Sequence, residues 1–176
     1  MISEEDAAVV AEQLGRPPRG LRSDAHRCPC GLGDVVETAP RLPDGTPFPT
    51  LYYLTCPRAA AAVGGLEAAG LMREMTARLA ADDELRAGYQ RAHRDYLARR
   101  DAAARAEGLE PLPAGTQSAG GMPDRVKCLH ALVAHELAEP GANPLGREAL
   151  DAAGQWWSRG PCVTVAGEAG PAGETD

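Results

Sequence analysis

Among its 176 residues the chain has one lysine (Lys127), one isoleucine (Ile2), one asparagine (Asn143) and one phenylalanine (Phe48), and aromatic residues make up only 4%. Hydrophobic residues reach 44%, but many are alanine, which buries little area. Stability must therefore come from helix packing around a few large anchors: Leu, Val, Tyr, Trp156 and Trp157. No apolar run approaches the roughly 18 residues needed to span a bilayer. The opening MISEEDAAVV is acidic and unlike a signal peptide, so a cytoplasmic protein is expected. Positive charge is also in short supply. A net charge of -7 argues against broad nucleic-acid binding or affinity for an anionic membrane. It leaves room for a local basic face.

Alanine, arginine, glycine and proline are abundant instead, as in GC-rich coding sequence. The length fits one domain over residues 1–159, with 160–176 as a disordered tail rich in Gly, Glu and Ala. Ser3 and Asp6 form a weak capping box for a helix over 4–14. Strands are expected at 24–28, 34–38 and 50–56, with a turn at 43–46. Pro57 opens a helix to about 69, Gly70 caps it, and helices over 71–81 and 82–106 follow. Residues 108–121 read as a Gly/Pro/Ser-rich loop. Further helices are expected over 123–139 and 144–157. The fold class is α+β, a small antiparallel sheet over about 24–56 packed against a helical C-terminal two-thirds.

Five cysteines in a reducing compartment are unlike structural disulfides. In the extended segment HRCPCG, His26, Cys28 and Cys30 share a face, and Gly31 permits a tight exit. Cys56 ends the strongest strand pattern, and Cys128 lies in DRVKCLH. Four thiolates from Cys28, Cys30, Cys56 and Cys128 would suit tetrahedral zinc or an iron–sulfur cluster, with sulfurs roughly 3.7 Å apart around zinc. Cys162 falls in the expected tail and is left out. His26, His130 and His135 are weaker candidates for the centre. His130 sits two positions from Cys128 and can join only if Cys128 belongs to an irregular first turn. His93 reads as a surface residue of the long helix. Lys127 and Arg125 flank Cys128 and should lower its pKa if it carries no metal. The arginine-rich face from Arg86 to Arg105, interleaved with Tyr89 and Tyr96, could meet a phosphate-bearing partner.

The segments HRCPCG (26–31), DGTPFPTLYYLTCP (44–57), LEAAGLM (66–72), DRVKCLH (124–130) and NPLG (143–146) resemble a family of high-GC Gram-positive bacteria known as domain of unknown function 501. The resemblance covers roughly residues 5–155. It implies a bacterial origin but brings no activity and no catalytic residue. In the family the gene resembles a neighbour of those for a small division-septum protein and an exopolyphosphatase. Three functions compete on the residues alone: a metal-binding protein centred on the four cysteines, a thiol enzyme with Cys128 as nucleophile, and an adaptor that binds a protein partner through an exposed helix.

Overall fold

The structure is a computed structural model describing residues 2–164. Six α-helices and three strands follow one another as α1 (Glu4–Leu14), β1 (Leu21–Arg27), β2 (Gly33–Thr38), β3 (Tyr52–Leu54), α2 (Pro57–Ala68), α3 (Leu71–Ala81), α4 (Asp83–Ala106), α5 (Leu129–Ala138) and α6 (Pro144–Ala153). A 3-10 turn at Trp156–Arg159 follows. The fold is α+β, as the pattern of short strands and helical stretches implies. No helix of the described residues is long and apolar enough to cross a membrane.

Local chemistry sets most boundaries. The Ser3 hydroxyl accepts the Asp6 N–H at 3.0 Å and starts α1. Pro57 occupies the first turn of α2, where its missing N–H costs nothing. Gly70, at φ 92°, turns the chain from α2 into α3. Asp82 caps α4 by accepting the Leu85 N–H at 2.9 Å. The three strands form one antiparallel sheet in sequence order, with Val35 opposite Leu54 and Val36 opposite Tyr53. In the expected turn Asp44 accepts the Thr46 N–H at 2.9 Å.

Several boundaries depart from expectation: β1 runs Leu21–Arg27 rather than 24–28, β3 Tyr52–Leu54 rather than 50–56, and α6 ends at Ala153 rather than 157. α5 begins at Leu129 rather than near residue 123. The intervening amides find acceptors elsewhere: Val126 N–H goes to the Thr76 hydroxyl at 3.0 Å and Lys127 N–H to the Gly120 carbonyl at 2.7 Å. The first residues of the expected tail, 160–164, are among the described residues and touch the rest of the protein. Arg58 donates to the Gly160 carbonyl at 2.7 Å, and Gln13 donates to Cys162 Sγ at 3.3 Å. The rest of that expectation, residues 165–176, lies outside the described residues.

α5 is the hub. Seven of its ten residues are buried, and it packs on the sheet, on α2 and on α6. Tyr89 and Tyr96 of α4 are fully buried, and Tyr96 Oη accepts the Leu51 N–H at 2.6 Å. They face the core, so no arginine–tyrosine surface forms on α4. Gly64 and Gly65, by contrast, sit in α2 with open space where a Cβ would be. Gly65→Ala is expected to raise stability by about 0.5–1 kcal/mol, through the entropy of the unfolded chain. A denaturant midpoint lower than wild type would refute it.

His135 is fully buried against Tyr52 and Tyr96. Asn143 Oδ1 accepts the Gly146 N–H at 2.9 Å, which turns its amide nitrogen toward His135 Nδ1 at 3.4 Å. Nδ1 is therefore an acceptor, and Nε2–H donates to Asp95 at 3.2 Å. Burial holds the His135 pKa below its ordinary value; Asp95 and Glu139 oppose this, and Arg99 adds to it. Protonating Nδ1 would set one donor against another. The unfolded chain takes up this proton before the folded one does, so stability should fall as pH drops below about 6.5. Asp95 itself is pushed up by burial but held below its usual range by hydrogen bonds from Arg99 and His135, so its loss falls at lower pH. Urea titrations between pH 7 and 5 should show a steeper loss for wild type than for His135→Gln. Equal slopes would remove His135 as the cause.

Candidate functional site

The structure divides the cysteines. Cys28 and Cys30 lie in the tight turn between β1 and β2, closed by Cys28 N–H to the Leu32 carbonyl at 2.9 Å and Gly31 N–H to the Cys28 carbonyl at 2.8 Å. Burial, chiefly, pushes the Cys28 thiol up to about 12. Cys30 lies close enough to Cys28 to add to this rise. Cys56 caps α2, and its buried thiol meets that of Cys162. Burial, with Cys162 beside it, raises Cys56 to about 11. Cys162, set aside as a tail residue, is thus seated on the body of the protein.

Cys128 keeps different company. It precedes α5 in extended conformation, at φ -153° and ψ 109°. Glu67, near the end of α2, reaches across to accept the Leu129 N–H at 2.7 Å. The same Glu67 oxygen lies 3.1 Å from His130 Nδ1. Among the described residues, donor atoms of Glu67, Cys128 and His130 lie within 4.8 Å of one another, and Cys28, Cys30 and Cys56 take no part in that group. The four sulfurs of the expected centre therefore do not converge among the described residues, and Cys128 lies instead with a carboxylate and an imidazole. His130 joins because Cys128 is outside the helix, the condition the sequence set for it.

The other histidines go elsewhere. His26 Nδ1 pairs with the buried Asp34 at 2.6 Å, and His135 is held between Asp95 and Asn143. His93 is half-buried with Nδ1 2.8 Å from the Ser118 hydroxyl, and is not the surface residue expected. Burial raises the Cys128 thiol, and Glu67 adds to this; N–H groups at the start of α5 only partly offset it. The lowering expected from Lys127 and Arg125 does not prevail. Sequence reasoning missed Glu67, since nothing in its spacing distinguishes it from the other acidic residues.

His130 has one further contact that matters. Its Nε2 lies 3.0 Å from the Ala60 carbonyl, which can only accept. Nε2 therefore carries a proton, and Nδ1 is the nitrogen turned to Glu67 and Cys128. A ring nitrogen facing the donor group, with the other tied to a carbonyl, is the arrangement found for histidine ligands of metals.

A family model described as a protein of unknown function (DUF501) matches residues 24–151. The match includes Cys28, Cys30, Cys56, Glu67, Cys128 and His130 but not Cys162. No curated protein and no solved structure matches the chain.

Proposed function

The chain belongs to the DUF501 family, which assigns it no chemistry, and from the site itself we propose that it is a cytoplasmic metal-binding protein holding one zinc-class divalent ion between Glu67, Cys128 and His130. The observation that carries this reading is the convergence of three different donor groups, with His130 Nε2 held by the Ala60 carbonyl so that Nδ1 faces the other two. The 3.1 Å between the Glu67 oxygen and His130 Nδ1 is close to the ~3.3 Å edge of a tetrahedron with ~2.0 Å metal–ligand bonds. A thiolate and a carboxylate balance a divalent charge. Three protein donors leave a fourth position, where zinc accepts water or a substrate group. Mixed sulfur, nitrogen and oxygen donors favour zinc over an iron–sulfur cluster, which is held mainly by thiolates.

Metal analysis of the purified protein tests this. About one zinc per chain is expected, falling at least tenfold in Cys128→Ser and His130→Ala. Wild type without metal, unable to gain thermal stability from added zinc, would overturn it. Because the Cys128 thiol is raised, zinc must displace its proton throughout the neutral range. Affinity should therefore climb about tenfold per pH unit from pH 6 to 8.

Two other readings find less support. A thiol nucleophile at Cys128 requires a lowered pKa, and burial beside Glu67 works against it. An adaptor requires an exposed apolar patch. Among the described residues Tyr53, 38% exposed, stands alone as a large exposed hydrophobic side chain.

A further inference from the structure

A cleft of about 840 Å³ opens between α4 and residues 115–128. Its wall includes His93, Ser118, Gly121, Asp124, Arg125 and Lys127. Although the protein carries a net charge of -7, this cleft collects uncompensated positive charge. Among the described residues, neither Arg125 nor Lys127 forms an ion pair or a side-chain hydrogen bond, and both are exposed. Behind the wall lies Arg100, only 2% exposed. Its guanidinium donates to the Gln117 carbonyl at 2.7 Å and the Pro49 carbonyl at 3.3 Å, both from cleft residues, and its Nε has no partner. No carboxylate stands within salt-bridge distance of it among the described residues. A buried charge with only neutral acceptors is costly, and the protein retains it against the carbonyls of Pro49, Thr116 and Gln117, residues of the cleft wall. Asp124 is the one acidic residue in the wall.

The loop is shaped for this. Gly121, at φ 94°, has no room for a Cβ, which would sit 2.6 Å from the Arg125 carbonyl and 3.1 Å from Lys127 Cγ. The bare glycine lets the lysine stem lie across the loop. Gly120, at φ 64°, is equally confined, since a Cβ there would meet Leu132 Cδ2 at 2.5 Å. Ser118 and His93 add a hydrogen-bonding pair at 2.8 Å. Burial lowers the His93 pKa and favours the neutral ring; Asp124 opposes this, and Arg100 and Arg94 add to it. If the serine donates to Nδ1, then Nε2–H is left over; if Nδ1–H donates to the serine, then the hydroxyl proton is left over. Either way one donor remains for a ligand.

We propose that this cleft binds a small phosphate-bearing ligand, its phosphate held by Lys127 and Arg125 and hydrogen-bonded by the Ser118–His93 pair. Two separate cations match the charge of a phosphate dianion better than that of a single carboxylate. The site goes beyond the metal reading and stands without it, although Cys128 lines the same cleft.

Isothermal titration of the full chain in EDTA, with inorganic phosphate and with ribose 5-phosphate, tests it free of metal. Saturable binding is expected, weakened at least tenfold by Lys127→Ala or Arg125→Ala and about threefold or more by Ser118→Ala, with Lys127→Arg retaining most of it. Unchanged melting curves for the Arg125 and Lys127 variants would show that these two exposed side chains are not needed for folding. Tighter binding of the ester identifies a phosphorylated metabolite, and equal binding identifies phosphate itself; both support the site. No saturation by either probe at millimolar concentration, or equal binding by wild type and the Arg125→Ala/Lys127→Ala double variant, overturns it. Phosphate binding by protein that takes up no zinc would reject the metal reading alone.

Discussion

Gly146→Ala is expected to destabilise the protein by about 3 kcal/mol, the upper end of the usual cost of overpacking. Gly146 lies in the first turn of α6, where α6 crosses α5. A Cβ there would overlap the Leu132 carbonyl oxygen and lie 2.9 Å from the Leu132 carbonyl carbon and 3.0 Å from Glu136 Cβ. Two of those three atoms belong to backbone inside a helix, so no rotamer change relieves them. The helices must separate, and the Asn143 cap of α6 and the Glu136 contacts with Gly141 and Asn143 N–H, each 2.9 Å, go with them. A fall in melting temperature of about 6–12 °C should follow. A shift within about 2 °C would refute the tight crossing of α5 and α6. Gly65→Ala, the same substitution in open space, has the opposite expected sign.

Leu132→Ala should cost a similar amount, about 2–5 kcal/mol, through a different mechanism. Leu132 is fully buried, with its side chain over Gly120 and its carbonyl against Gly146. Its loss opens a cavity beneath the residues 115–128 that wall the phosphate cleft. Coupling can be measured directly. Gly120→Ala alone is penalised both by positive φ and by the Leu132 methyl 2.5 Å from the new Cβ. In the double variant most of the steric part should vanish, leaving the Cys128 carbonyl 3.1 Å from the new Cβ, so the two costs should sum to more than the double variant shows. Strict additivity would show that the loop does not rest on Leu132.

These contacts mark the limit of what could be read from the chain. Helix starts at Ser3, Pro57, Asp82 and Asn143–Pro144 were legible because a cap acts on amides two or three positions away. The start of α5 was not, because Val126, Lys127 and Leu129 give their N–H groups to Thr76, Gly120 and Glu67, acceptors that no local pattern reveals. The candidate site shows the same division. Cys128 stood out by residue type, and His130 by nearness. Glu67, which completes the group, comes from another helix and reaches the site only through tertiary packing. Arg100 and Ser118 stayed hidden for a related reason: arginine and serine are ordinary on a helix and in a loop, and only burial makes them unusual.

The position of α5 bears on how the chain is made. The sheet is complete by residue 54, but the helix that lies across β3 begins only at residue 129. A chain emerging from the ribosome would therefore hold its apolar strands uncovered while about 75 further residues are added, roughly 4–15 s at ordinary synthesis rates. α2, α3 and α4 appear during that interval, and local helical contacts form far faster than the interval lasts. The last step of folding must then be the insertion of one ten-residue helix between an existing sheet and α2, with α6 closing behind it. The candidate metal site and the phosphate cleft both take residues from that helix or from the loop leading into it, so neither exists until synthesis is almost finished.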